Sequence, residues 1–172
     1  MTFQVCRMWD ERVREATRED LPFLREMLFE AVYWRPDQTR PPIDEGLAAP
    51  ELSRILEGWG RVGDTARIAV AGDGAEVGGA WLRYWTAENR SYGFVDASTP
   101  ELGLAVRSAW RRRGVGTRLI VELMDAAQRL GAERISLSVE PENPSRLLYE
   151  RLGFEYVTEY GGACTMVKDL LR

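Results

Sequence analysis

The chain has 172 residues, 45% of them hydrophobic and 29% charged, which is material for one domain with its own core. A formal net charge of −4 argues against a general nucleic-acid binder, which is ordinarily basic overall. The absence of any histidine excludes Ser-His-Asp and Cys-His catalysis and removes the usual zinc ligand. Proton transfer is left to carboxylates, tyrosines, Lys168 or ordered water.

No apolar run approaches the roughly 18 residues that a membrane span needs. Arg7, Asp10, Glu11 and Arg12 break the N-terminus where a secretory signal would carry its apolar core. Cys6 and Cys164 match no metal spacing and build no disulfide framework. The expectation is a cytoplasmic protein without metal, membrane or nucleic-acid partner.

Residues 1–12 show no clear period and read as a leader or an additional strand. A short strand is expected over Arg12–Ala16. Thr17 can cap the helix that follows, with acids in its first turn, and Leu21, Leu24, Leu28, Ala31 and Val32 mark that helix until Arg35-Pro36. Pro36–Pro50 reads as a loop with a helical turn. Glu51–Trp59 reads as a second short helix, closed by Gly58 and Gly60. Arg67–Ala71 and Val77–Trp85 form a hairpin across Gly72-Asp73-Gly74, with Gly78 and Gly79 marking a bulge or a close backbone approach. Thr86–Pro100 is a polar loop.

The most informative stretch is Leu102–Gly131. Leu102–Val106 has strand length and composition. Val115, Leu119, Leu123, Ala126 and Leu130, widened by Ile120 and Ala127, recur at helical spacing. Between them lies Arg111-Arg112-Arg113-Gly114-Val115-Gly116. Such a strand–turn–helix aims free backbone N–H groups and the positive end of the helix dipole at one point, where glycines admit phosphate and arginines add charge. A diphosphate cradle is the physical reading. Two commoner phosphate loops do not fit, because no Gly-Lys-Ser/Thr follows and Leu119 replaces the third glycine of the dinucleotide fingerprint. Beyond it, Arg134–Val139 is a buried strand, Pro141–Pro144 a turn, and Ser145–Leu152 a helix stopped by Gly153. Phe154–Tyr160 and Cys164–Asp169 pair across Gly161-Gly162. The whole reads as one domain with an antiparallel first half and a strand–helix–strand crossover.

In this order, Glu101–Val106 (ELGLAV), Arg111-x-x-Gly114-x-Gly116, a helix, a strand, Asn143 and Leu148–Phe154 (LYERLGF) resemble the GNAT superfamily of N-acetyltransferases. The resemblance is strongest from Glu101 to Phe154 and weaker at 14–24 and 67–85. It implies a mixed α+β fold: a twisted, mostly antiparallel sheet of about six to seven strands, helices on both faces, and one parallel strand pair splayed apart. It further implies a single acetyl-CoA-dependent domain across residues 1–172.

Carried over residue by residue, the resemblance assigns the backbone of Leu104, Ala105 and Val106 to the pantetheine arm and thioester carbonyl of acetyl-CoA. It assigns the amides of Arg111, Arg112, Arg113, Gly114, Val115, Gly116 and Thr117 to the pyrophosphate. Asn143 would contact the arm, and Tyr149 would stand near the thioester sulfur as proton donor. Glu101 resembles the strand glutamate that serves as base, often through water, in some members, with Asp96 and Glu30 as weaker alternatives. Tyr33, Trp34, Trp81, Tyr84 and Tyr92 would line the acceptor pocket. Glu30, Asp37, Asp44, Glu45 and Asp96 would attract a cationic amine. Dimerisation is common in the family, so a homodimer is open.

The chemistry expected is direct transfer of acetyl to a primary amine of a small molecule or peptide terminus. Freeing a lysine-type amine at pH 7 costs about 4.6 kcal/mol and an α-amine about 1.4 kcal/mol, so the acceptor decides how strong a base is needed. Two other readings stay open: transfer of a longer acyl group or to a hydroxyl, and a catalytically silent acyl-CoA-binding module. No motif encodes the acceptor.

Overall fold

The computed structural model describes residues 12–171. The reading of residues 1–12 as leader or strand therefore falls, Arg12 apart, outside the described residues. Among the described residues, seven strands form one sheet: β1 (Arg12–Glu15), β2 (Thr65–Val70), β3 (Glu76–Arg83), β4 (Glu101–Val106), β5 (Arg134–Val139), β6 (Glu155–Tyr160) and β7 (Ala163–Asp169). Their spatial order is β1-β2-β3-β4-β5-β7-β6, so the last strand inserts between β5 and β6. Every neighbouring pair is antiparallel except β4–β5.

The β4–β5 pair places the site. β3 and β4 stay in register over their full length, from Gly78↔Val106 to Arg83↔Glu101. β4 and β5 pair only at Glu101↔Ser136 and Leu102↔Leu137 and then part. From Gly103 to Val106, β4 has no strand partner on that side among the described residues.

Helices pack on both faces because β3 and β4 alternate their side chains. The helix α1 (Leu21–Val32) covers the face carrying Trp81 and Ala105, burying Leu24, Met27 and Ile68 completely. The helix α4 (Val115–Arg129) covers the opposite face over Ala80, Leu82 and Leu102. Each fully buried Leu or Met side chain contributes roughly 1.5–3 kcal/mol of transfer free energy. Gly78 and Gly79 let both helices approach. A Cβ on Gly78 would lie 3.1 Å from Leu119, and one on Gly79 would lie 3.2 Å from Met27. The neighbouring irregularity is at Val77, which the β2–β3 register skips.

Three elements differ from the sequence reading. α1 stops at Val32, where Tyr33 leaves helical geometry and stacks on Phe29 at 4.5 Å between ring centres. The helix expected over Glu51–Trp59 contracts to α3 (Pro50–Ser53), after another single turn, α2 (Ile43–Gly46). The cause is distant: the buried Arg83 guanidinium takes the carbonyls of Arg54 (3.1 Å) and Glu57 (2.7 Å). Those carbonyls then bend toward the sheet rather than along a helix axis. Leu130, expected on the buried face of α4, is 60% exposed because the helix closes at Arg129. No helix among the described residues is long and apolar enough to cross a membrane.

Candidate active site

Where β4 and β5 part, a cavity of about 1490 Å³ opens through the sheet. One side of it is built from main chain, the other from side chains.

The main-chain side begins at the unpaired edge of β4. Leu104, Ala105 and Val106 line the cavity, and the Val106 carbonyl accepts from Arg111 Nε at 2.9 Å. The chain then passes through Arg112 (φ +57°) and Gly114 (φ +83°), both left-handed. Arg112 is the one non-glycine with positive φ among the described residues, a conformation costing about 1–3 kcal/mol. Two left-handed residues two apart curl the backbone so that its amides converge. Among the described residues, no main-chain carbonyl accepts from the amides of Arg112, Arg113, Gly114, Val115, Gly116 or Thr117. The first helical bond there runs from the Arg118 amide to the Gly114 carbonyl at 3.0 Å. Six free donors at the positive end of a 15-residue helix make an anion cradle. A Cβ on Gly116 would lie 3.2 Å from Leu148, so this glycine lets α4 come close to the helix α5 (Ser145–Arg151).

Two side chains close this half. Asn143 accepts the Ser145 amide on Oδ1 at 2.9 Å, which starts α5 and leaves its NH₂ group for another partner. Tyr149 is buried, set edge-on against Phe154 at 5.8 Å, and burial raises its pKa. It remains a phenol at neutral pH.

The side-chain half is dominated by Glu101 and aromatic rings. Glu101 Oε1 accepts from the Gly93 amide (3.0 Å) and Ser91 Oγ (3.3 Å), both on the loop 86–100. Oε2 is enclosed and has no hydrogen-bond partner among the described residues. Burial pushes the carboxyl up to about 7, overcoming the opposing pull of those two donors and of the Arg54 and Arg90 charges. Trp81 lies over Gly103, where a Cβ would meet the indole at 2.2 Å. One face of β4 thus presents Glu101, an indole, then Ala105. Trp34, Trp85, Leu52 and Ile55 continue the wall.

Of the residues singled out in the sequence, Glu30, Trp34, Trp81, Tyr92, Glu101, Leu104, Ala105, Val106, Arg111, Arg112, Gly114, Gly116, Thr117, Asn143 and Tyr149 line this one cavity. Five do not. The Arg113 guanidinium stacks on Trp110 at 5.1 Å, and Val115 belongs to the core. Tyr33 stacks on Phe29. Tyr84 packs over Gly63, where burial raises its pKa. Asp96 holds its own loop, accepting from Ser98 and Thr99, and pairs with Arg134 at 2.6 Å.

The acids expected to attract a cation are also largely engaged. Glu30 pairs with Arg40 and Arg111, and Asp44 with Arg25, while Asp37 and Glu45 are exposed. The sequence reading missed Leu52, Ile55, Trp85, Arg83 and Ser91 as wall residues. Their only common signal was an apolar or buried character that any core residue shares.

The model of the acetyltransferase (GNAT) family matches residues 24–154. No curated protein matches the sequence. Solved structures resemble the whole fold. The paiA N-acetyltransferase from Thermoplasma acidophilum in complex with coenzyme A is 20% identical, with a TM-score of 0.68 over 92% of this chain and 98% of that one. A GNAT-family acetyltransferase from Staphylococcus aureus Mu50 is 15% identical, with a TM-score of 0.69 over 93% and 99%. The phosphinothricin acetyltransferase from Sinorhizobium meliloti in complex with AcCoA is 22% identical, with a TM-score of 0.65 over 92% and 88%.

Proposed function

The chain belongs to the GNAT family of acetyltransferases, and on that premise we propose that it transfers acetyl from acetyl-CoA to the primary amine of a small molecule or peptide terminus. One observation carries the reading. β4 and β5 separate after two paired residues, beside six unpaired amides at a helix N-terminus. An unpaired strand edge suits an amide-bearing arm, and an amide cradle suits a pyrophosphate. The residues present therefore fit coenzyme A, which would bring the activated acetyl group when bound.

The chain's own groups then divide the work. The free amides of Arg112 to Thr117 hold the diphosphate, the Arg111 amide being taken by the Ser108 carbonyl at 3.3 Å, and Asn143 donates its NH₂ group to the arm. The edge amides of Leu104 to Val106 position the thioester and stabilise charge developing on its oxygen. Tyr149, a phenol at neutral pH, donates to the departing sulfur. Glu101, with a pKa of about 7, accepts the proton that the amine must lose. Glu101 and Ala105 are about 13 Å apart along the strand, so the proton travels through water over the Trp81 indole. Positioning of both reactants supplies much of the remaining acceleration, up to roughly 7–11 kcal/mol in ideal cases.

Calorimetric titration with coenzyme A, followed by thiol release from acetyl-CoA across a panel of primary amines, tests the reading. Micromolar coenzyme binding with amine-dependent release is expected. No heat of binding at millimolar coenzyme would sink it.

A further inference from the structure

Four carboxylates line the cavity: Glu30, Glu51, Glu101 and Glu140. Arg40 and Arg111 hold Glu30, and Arg35 holds Glu140. Glu51 is exposed to solvent. Only Glu101 is both enclosed and free of an ion pair among the described residues.

The cations tell the same story. Arg83 is neutralised by Asp64 at 2.6 Å. Arg54 and Arg90 stand close enough to Glu101 to favour its anion, and among the described residues neither has a carboxylate within ion-pair distance. With Glu101 ionised, these two guanidiniums leave no surplus negative charge beside it, so a polycation is repelled.

Much of the rest of the wall is apolar. Trp34, Trp81, Trp85 and Tyr92 line the cavity together with Leu52 and Ile55. Aromatic faces attract an amine held near them and bury an apolar body well. A polyamine or an aminoglycoside would bring several ammonium groups and, for the latter, many hydroxyls to a wall with few partners for them, and each unpaired buried polar group costs affinity.

Resting on the acetyl-transfer reading above, we infer that the acceptor is a compact monoamine with an aromatic or branched apolar body. Its nitrogen faces Glu101 across the intervening water, and its body lies against Trp34, Trp81, Trp85 and Tyr92.

The test uses the full chain saturated with coenzyme A and titrated calorimetrically with 2-phenylethylamine, isoamylamine, spermidine and kanamycin. Thiol release from acetyl-CoA is measured with the same four amines. The two apolar amines should bind, and turn over by kcat/KM, at least about 10-fold better than spermidine. Trp34→Ala, at a half-buried position, should weaken 2-phenylethylamine about 5-fold or more and leave the coenzyme titration unchanged. Leu52→Glu, which puts a carboxylate in place of an apolar part of the wall, should move the preference toward spermidine.

Equal or tighter binding of spermidine or kanamycin overturns the inference. So does an apolar-to-polyamine ratio that Trp34→Ala does not move, and so does no saturable binding of either apolar amine. Thiol release favouring spermidine leaves acetyl transfer standing and removes only the monoamine. A clear apolar preference without any thiol release does the reverse.

Discussion

The two halves of the cavity are built by opposite means. The half around Arg111–Thr117 is one continuous segment, and its working atoms are backbone amides. The half around Glu101 draws side chains from the segment after α1, from α3 and the turns beyond it, from β3, and from the loop 86–100. A main-chain site is fixed by dihedral angles, so it tolerates changes of side chain and fails when a left-handed position is lost. A side-chain site is fixed by packing, so it fails when a distant prop is removed. That contrast generates the predictions, taken from the largest effect down.

The prop on the side-chain half is the buried pair Arg83–Asp64. Asp64 takes Arg83 Nε (3.0 Å) and Nη2 (2.6 Å) and also the amides of Gly60 and Arg61. Asp64→Ala leaves a buried guanidinium uncompensated and should cost about 3–5 kcal/mol. For a domain of this size that is a fall in Tm of roughly 6–20 °C. Below the new Tm, coenzyme affinity should stay within about 3-fold, while amine turnover falls. The double variant Asp64→Ala/Arg83→Met should recover part of the loss, because it removes the stranded charge as well. A coenzyme site that collapses along with Asp64→Ala would show that the halves are not separable.

Glu101 ties the side-chain half to pH. Its carboxyl keeps a proton up to about 7 in the folded chain and releases it near 4.5 when unfolded. Between those values the folded state binds more protons, so stability falls as pH rises through that window and stays low above it. The loss amounts to about 3 kcal/mol. Glu101→Gln should therefore gain about that much stability at pH 8 relative to its difference from the parent at pH 4.5, read from urea unfolding at both values. Its kcat/KM should drop at least about 100-fold and lose the rise near pH 7. Flat stability differences across pH would mean that the carboxyl is solvated.

On the main-chain half, Gly114→Val forces a β-branched residue to φ +83°. The strain of about 1–3 kcal/mol should either unwind the turn or be carried in it. Coenzyme affinity should fall about 10- to 100-fold, and strain carried in the folded chain should lower Tm by roughly 2–12 °C.

The same contrast explains what could be read from the chain alone. β5 was legible to the residue, Arg134–Val139, and so was the turn leading into α4, because alternation, helical spacing and glycine are local signals. The insertion of β7 between β5 and β6 was not, since strand order carries no local mark. Glu51–Trp59 looked helical because nothing nearby announces that Arg83, some 29 residues from Arg54, takes its carbonyl. Tyr33, Tyr84 and Asp96 were plausible wall residues by type. Phe29, Gly63 and Arg134 direct them elsewhere. A site made by a segment can be read from that segment, whereas one made by convergence requires the fold.

The smallest expected effect is the sharpest test of the main-chain half. Arg113 sits inside the arginine run, yet its guanidinium stacks on Trp110 at 5.1 Å instead of lining the cavity. Its contribution at the site is then its amide, which alanine keeps. Arg113→Ala should change coenzyme affinity by less than about 3-fold at 0.15 M salt, where an exposed charge acts over only about 8 Å. At 0.01 M salt, where the screening length grows to about 30 Å, the same substitution should cost more, because the lost charge then reaches the cradle. A large loss at both salt concentrations would mean that the guanidinium leaves the indole to grip phosphate directly. The half now read as backbone would then owe its affinity to side chains, as the other half does.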